Sequence, residues 1–281
     1  MTSWKDMPFG IDSDGKPLAF DFAGTQQHVL AAGRSRAGKS NWLYSVLPAM
    51  VAQGCVIVGS DPTGILLTPY VAATPDGWIV TKTDPAAVER MLSWAVRLMD
   101  ERIQEGVRAK KREKIPTDDP AYPHIFIVME EWGNTVRSAK VYDQGQKPAD
   151  RVSGLIEAHM NRLAAEALKA NMSILLIIQK ASADVLLGIR DQLAVRCSFA
   201  QPTKDSAEMI DESITRENAE RMQKAKPGVG YWYFAGEEPV WFRAPLASYE
   251  QYFDTMEKHY RGRPDVLPHY ESAGGNDDVS E

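Results

Sequence analysis

The chain has 281 residues, 44% of them apolar and 25% charged, enough to bury one large core or two small ones and ordinary for a soluble globular protein. Its formal charge of −6 argues against a protein that coats nucleic acid nonspecifically, yet leaves room for a positive strip lining a channel. Cys55 and Cys197 each sit inside an apolar run, which suits buried thiols of a reduced cytosolic protein and neither a disulfide framework nor a zinc site; no stretch approaches the roughly 18 apolar residues that span a bilayer, and nothing reads as a secretory leader.

Residues 8–24, PFGIDSDGKPLAFDFAG, read as a hairpin that turns at Ser13 to Gly15 and continues through alternating Leu18, Phe20 and Phe22. This small β element lies just ahead of HVLAAGRSRAGKS, 28–40. There Val29, Leu30, Ala31 and Ala32 predict a buried strand, Gly33 to Lys39 a loop, and Ser40 the first residue of a helix running through Trp42, Leu43, Val46 and Leu47. The pattern is G-x-x-x-x-G-K-S. Such a loop wraps phosphates in backbone N–H groups, helped by the positive end of the following helix, while the lysine meets the β and γ phosphates and the serine hydroxyl coordinates magnesium. The strand before it and the helix after it favour this reading over a glycine-rich surface turn. A nucleotide with Mg2+ is therefore expected, its phosphates cradled by Gly33, Arg34, Ser35, Arg36, Ala37, Gly38, Lys39, Ser40 and Asn41.

CVIVGSD, 55–61, reads as a second buried strand with Asp61 and Pro62 at its carboxyl end, the edge where ligands sit in an open parallel sheet. Residues 85–113 predict one long amphipathic helix with Val88, Met91, Leu92, Ala95, Leu98, Met99 and Ile103 on its packed face. Its basic end, VRAKKREK, reads as solvated helix surface in preference to a DNA contact. After the connection IPTDDPAYP, HIFIVMEEW at 124–132 gives a buried strand with two glutamates at its tip. Any strand can end in Glu-Glu, but downstream of a phosphate loop Glu130 is placed to organise magnesium and Glu131 to act as general base on the attacking water.

Residues 133–152 are polar without a sustained apolar period and predict a surface loop or short helix, with Arg137, Lys140, Lys147 and Arg151 making it a candidate DNA-facing segment. A helix at 153–170 leads to SILLIIQKAS, a buried strand that delivers Gln179 to the same sheet edge. Residues 194–200 and 230–245 predict further strands, the latter a hairpin turning at Gly236, with a helical stretch over 205–225 between them. The tail from Gly262 reads as disordered or as a docking peptide. Strands alternating with helices around one phosphate loop imply a single α/β domain with a mainly parallel sheet.

Several of these pieces together resemble the motor domain of the FtsK/SpoIIIE DNA translocases, within the wider FtsK-HerA group of ring ATPases. GIDSDGKPLAFDF is similar to the family's G-x-D-x-x-G-x-P lead-in, and QHVLAAGRSRAGKSN to its PHLLVAGxTGSGKS segment. GSDPTGILL resembles its IDPK segment, LSWAVRLMDERI its long helix, LLIIQKASADVLLGIRDQLAVRCSFA its LATQRPS and T-R-I-A-F stretches, TKDSAEMID its S-x-x-D-S-R-x-I-L-D, and KPGVGYWY its G-x-G-D-M-L-Y ending. The resemblance covers about residues 8–245. It implies a RecA-like P-loop NTPase with flanking helices and the small N-terminal β element, divided as lead-in 1–27, motor 28–260 and tail 261–281.

It further implies an ATP-driven motor that forms a ring, a hexamer, and pulls double-stranded DNA through its centre, with Gln179 sensing the γ phosphate. The departures are specific: the usual Asp-Glu pair is Glu130 and Glu131, and Thr63, Ala207 and Leu168 stand where the family carries a lysine and two arginines. Arg196 is then the first choice for an arginine finger and Arg190 the second. Membrane-spanning and sequence-reading domains have no counterpart here, so the expectation is a bare cytoplasmic motor of the plasmid-transfer, phage or mobile-element kind. The rival readings are a packaging or transfer ATPase working only with a membrane-complex, portal or coat partner, a nucleotide-dependent scaffold without turnover, and a small-molecule kinase.

Overall fold

The computed structural model describes residues 5–22, 27–72, 74, 76–186 and 188–260, so the predicted tail lies outside the described residues. One ten-stranded sheet carries the architecture, in the order β2-β1-β10-β9-β8-β3-β7-β6-β4-β5. Its parallel part consists of β8 (Val195–Ser198), β3 (Val29–Ala32), β7 (Met172–Ile178), β6 (Ile125–Met129), β4 (Val56–Ser60) and β5 (Ile79–Val80). Antiparallel pairing begins at β9 (Val229–Phe234) and continues through β10 (Val240–Arg243), β1 (Met7–Ile11) and β2 (Pro17–Phe20). The N-terminal hairpin thus joins the same sheet by way of the C-terminal one. Its turn is fixed by Asp12, whose Oδ1 accepts from the amides of Asp14 at 2.9 Å and Lys16 at 2.8 Å.

The central strands read as unbroken apolar runs because both faces are covered. Alternation sends Leu30, Val58, Ile127 and Ile174 into one core and Ala31, Ile57, Phe126 and Leu175 into the other. The first core is closed by α3 (Pro85–Arg102), α4 (Trp132–Gln144) and α5 (Ser153–Glu166); the second by α1 (Lys39–Val51), the short α2 (Thr68–Val71) and the C-terminal helix. Entry into α3 follows its sequence: the Asp84 carboxylate accepts from the Ala87 amide at 3.0 Å, with Pro85 in the first turn.

Four expectations change. The helix predicted over 85–113 is α-helical only to Arg102 and then widens into a π-helical turn, Ile103–Arg108. There Arg102 turns inward to donate to the carbonyls of Pro123 at 3.0 Å and Ala170 at 3.2 Å, and Gly106 packs so closely on Ile115 that a Cβ would stand 2.5 Å from its Cδ1. The polar segment after Glu131 forms the full helix α4, burying Trp132, Thr135, Val136 and Ala139. The helix expected over 205–225 is two, α7 (Lys204–Glu208) and α8 (Arg216–Gln223), after the four-residue α6 (Ala183–Leu186). The break lies at Asp211, whose carboxylate accepts from Ser213 N at 2.9 Å, Ser213 Oγ at 2.6 Å and Tyr231 Oη at 2.6 Å. Finally, residues Tyr249–Tyr260 form a helix, α9, that the sequence reading did not single out; it buries Tyr252 and Met256, and Tyr252 Oη donates to Leu66 O at 2.6 Å. No helix among the described residues is long and apolar enough to cross a membrane, and Cys55 and Cys197 are free and buried.

Candidate nucleotide and hydrolysis site

The phosphate loop emerges from β3 and is pinned on both flanks by its neighbours. Gly33 N donates to Ile178 O, the last carbonyl of β7, at 3.2 Å, and Arg34 N donates to Ala200 O, beyond β8, at 2.8 Å. Gly33 can only be glycine here, because a Cβ would stand 2.8 Å from the Cβ of Phe199. Gly38, at φ 109°, precedes the first residue of α1, and a Cβ there would lie 2.5 Å from Gly228 N. Ala37 is buried, whereas Arg34, Ser35, Arg36 and Ser40 are exposed at the rim. Arg36 holds a left-handed backbone at φ 62°. Helix α1 is anchored from below by Trp42, whose Nε1 donates to Phe9 O at 2.8 Å. The helix thereby presents its free N-terminal amides at the carboxyl edge of the sheet, a ready anion seat.

Lys39 curls over the loop and donates to the carbonyls of Gly33 and Arg34, the latter at 3.4 Å. Burial lowers its ammonium pKa, with the charges of Glu131 and Glu130 opposing that shift. These carboxylates arrive from β6. Because β6 and β7 run parallel with Met129 opposite Leu176, the residues following both strands reach one edge together. Glu131 Oε1 accepts from Gln179 Nε2 at 2.5 Å. Glu131 stands at the head of α4 in a left-handed conformation, φ 51° and ψ 40°, which leaves its side chain free to meet Gln179 rather than cap the helix.

Glu130 is the more unusual carboxyl. Burial, reinforced by Asp61 and Glu131 and opposed by Lys39, pushes it up to about 8. Its Oε2 is buried without a hydrogen-bond partner. Such an atom beside a phosphate seat fits a cation, since Mg2+ is commonly held by one or two carboxylates together with substrate phosphates. Among the described residues there is no group of three or more His, Cys, Asp or Glu that could hold a metal; Glu130 and the exposed Ser40 are the residues that would hold one together with a nucleotide's phosphates. Asp61 is not a free ligand. Its Oδ1 accepts from Thr63 N at 3.0 Å, Thr63 Oγ1 at 2.6 Å and Gly64 N at 3.1 Å, and its Oδ2 from Leu67 N at 3.0 Å. It builds the turn after β4 and acts on the site through charge.

Arg196 is not brought to this site. It is buried in β8, and its guanidinium donates to Leu193 O at 2.8 Å, Ile210 O at 2.9 Å and Arg190 O at 3.1 Å. Arg190 is likewise engaged, with Met209 O at 2.9 Å, Glu208 O at 3.2 Å and the Glu212 carboxylate. Both arginines hold the 208–212 segment. What sequence reasoning missed is the turn at 226–228: Gly228 N donates to Ala37 O at 2.9 Å, so this turn forms the back wall of the phosphate loop. The Pro227-Gly228 pair was its only local signal.

The FtsK/SpoIIIE family model matches residues 2–226. The DNA translocase FtsK 2 of Neisseria meningitidis serogroup A is 26% identical over 309 residues, covering 97% of this chain and 28% of that protein, so the chain spans less than a third of that relative's length. Among solved structures, the pCW3 conjugation coupling protein TcpA, in its monomer form with ATPγS, superposes with a TM-score of 0.75 at 18% identity, covering 94% of this chain and 72% of that one. The cytoplasmic domain of the Thermomonospora curvata type VII secretion ATPase EccC gives 0.67 at 19% identity, covering 89% and 30%. At such identities these likenesses speak for the fold.

Proposed function

Because the chain belongs to the FtsK/SpoIIIE family of P-loop ATPases, we propose that it hydrolyses ATP to move double-stranded DNA, working in the cytoplasm as a homo-oligomeric ring, a hexamer. The observation that carries this reading is the convergence of Lys39, Glu131 and Gln179 on the edge where α1 offers its N-terminal amides. Residues 33–41 hold the triphosphate, and Lys39 neutralises its β and γ oxygens. Ser40 and Glu130 would hold Mg2+, which would supply positive charge to offset that of the phosphates. Glu131 takes the proton of the attacking water, and Gln179, bonded to Glu131, fixes its direction and registers the γ phosphate. Phosphoryl transfer asks chiefly for positioning and charge stabilisation, which these groups supply.

The DNA contact is assigned to the basic surface of α4 and the loop after it. Arg137, Lys140, Lys147 and Arg151 are exposed there, the first two on the helix whose head is Glu131, so a change at the γ phosphate has a rigid path to that part of the surface. That one relative is a DNA translocase and TcpA a conjugation coupling protein supports DNA as the cargo; plasmid or phage DNA handling, with a membrane complex, portal or coat as partner, is the setting we propose. ATP turnover with and without duplex DNA tests the reading. Glu131→Gln should lower kcat by about 10²-fold or more, the usual yield of a general base, with ATP binding retained. Neutralising Arg137, Lys140 and Lys147 should abolish DNA stimulation and flatten its salt dependence. Wild-type turnover in Glu131→Gln would refute the assigned base.

A second reading, a nucleotide-dependent scaffold without turnover, is favoured by one observation: Arg190 and Arg196 are both committed within their own chain, which leaves neither to reach a neighbour's phosphate. Particle mass with bound ATP separates the two, since oligomerisation without hydrolysis is the scaffold's signature.

A further inference from the structure

Helix α9, Tyr249–Tyr260, lies beyond residues 2–226, the span that matches the family model. Its aromatic side is packed against α1. Tyr252, which is buried, stacks on Tyr44 with ring centroids 4.8 Å apart at 22°, and Tyr249 lies against the same ring at 5.7 Å and 58°. Tyr44 follows Ser40 by one helical turn, so the two share a face of α1. The ring that α9 grips therefore belongs to the stretch of backbone that carries the serine placed for the metal.

The hydroxyl of Tyr252 reaches toward the second donor. It donates to Leu66 O at 2.6 Å, while the ring meets Tyr70 of α2 at 6.3 Å. Leu66 lies in the turn that the Asp61 carboxylate builds through the amides of Thr63, Gly64 and Leu67. That turn leaves β4 after Ser60, whose carbonyl accepts from the amide of Glu130 at 2.8 Å. A continuous chain of contacts thus runs from Ser40 to Glu130, and Tyr252 joins its α1 half to its β4 half. The carboxylates are felt at Tyr44 itself: burial raises its phenol pKa, and the charges of Tyr249, Asp61 and Glu130 reinforce the shift.

We infer that α9 is a positioning element of the metal seat: by holding α1 against the 61–67 turn, Tyr252 and Tyr44 fix where the Ser40 hydroxyl stands relative to the Glu130 carboxylate. The inference rests on the nucleotide reading and adds to it the part of the chain that sets how strongly Mg2+ supports nucleotide binding. The test is calorimetric titration of the full chain with ATP, once with saturating Mg2+ and once in EDTA, and it reads the ratio of the two affinities. The wild type should bind more tightly with Mg2+. Tyr252→Leu, which removes both the stack and the bond to Leu66, should cut that gain about tenfold and leave metal-free ATP within about twofold, since outer partners of metal ligands are typically worth roughly 10–100-fold in affinity. Tyr252→Phe keeps the ring, and with it the docked helix, and should lose several-fold of the gain through the missing bond alone. Tyr44→Leu should behave as Tyr252→Leu does, whereas Tyr44→Phe, which preserves the stack, should restore the wild-type ratio. If Tyr252→Leu weakens both titrations equally, or if Tyr252→Phe and Tyr44→Leu keep the wild-type ratio, α9 only props the fold and the inference is wrong. If the wild type binds no ATP, or gains nothing from Mg2+, the nucleotide reading fails instead.

Discussion

Acidification should weaken the fold at the foot of the strand that carries the phosphate loop. His28, immediately before β3, is fully buried, and both ring nitrogens are used: Nδ1 accepts from Ile174 N at 2.9 Å and Nε2 donates to Ala164 O at 3.0 Å. The ring is therefore neutral with its proton on Nε2, and a second proton on Nδ1 would set two donors against each other. Burial lowers its pKa from 6.5 to about 4, the carbonyl of Ala164 partly opposing. The unfolded chain takes up that proton below pH 6.5 while the native ring refuses it down to about 4, so the stabilisation is complete above 6.5 and declines as pH falls through this window. The full gap corresponds to about 3 kcal/mol, of which about 2 kcal/mol is lost between pH 7.5 and 5. The assay is urea unfolding at both pH values for wild type and His28→Gln. The variant should be less stable at pH 7.5, yet lose about 2 kcal/mol less on acidification. Comparing variants cancels the opposing contribution of Glu130, whose carboxyl, held up to about 8, favours the fold as pH drops below that value. Parallel pH profiles would refute the neutral, doubly bonded His28.

Three further outcomes follow from the same geometry. Gly38→Ala places a Cβ 2.5 Å from Gly228 N at φ 109°; strain of about 1–3 kcal/mol should fall on the loop and reduce ATP affinity at least about tenfold, so unchanged affinity in a binding titration would count against the observed loop packing. Arg196→Met removes hydrogen bonds to the carbonyls of Leu193, Ile210 and Arg190, each orphaned group costing about 1–3 kcal/mol. Unfolding free energy should drop by about 3 kcal/mol or more; intact stability with lost hydrolysis, restored on mixing with Glu131→Gln subunits, would instead mark a finger acting between subunits. Arg36→Gly relieves a left-handed backbone and should leave thermal stability equal or up to about 1 kcal/mol higher. A clear fall in the unfolding temperature would mean that the guanidinium makes a contact the fold depends on.

The sequence by itself determined the features whose parts are neighbours along the chain. Gly33, Gly38, Lys39 and Ser40 form one backbone loop, so their spacing alone specifies an anion seat. The strands before Gly33, Asp61, Glu130 and Gln179 were legible because burial on both faces demands unbroken apolar runs. Helix α4 was obscured because its packed positions are few, Trp132, Val136 and Ala139, set in a polar segment. The division of 205–225 and the helix after Tyr249 were equally hidden, since one depends on Asp211 meeting Tyr231 and the other on Tyr252 reaching Leu66.

Tertiary structure alone decided which polar ends meet. Parallel register between β6 and β7 unites Glu131 with Gln179, strand order puts the 226–228 turn behind the phosphate loop, and Arg196 is bonded within the chain to the carbonyls of Leu193, Ile210 and Arg190. The physical reason is one of range: a loop's local conformation is encoded by the residues that adopt it, whereas a meeting between distant side chains is fixed by sheet order and packing, which no short stretch of residues specifies.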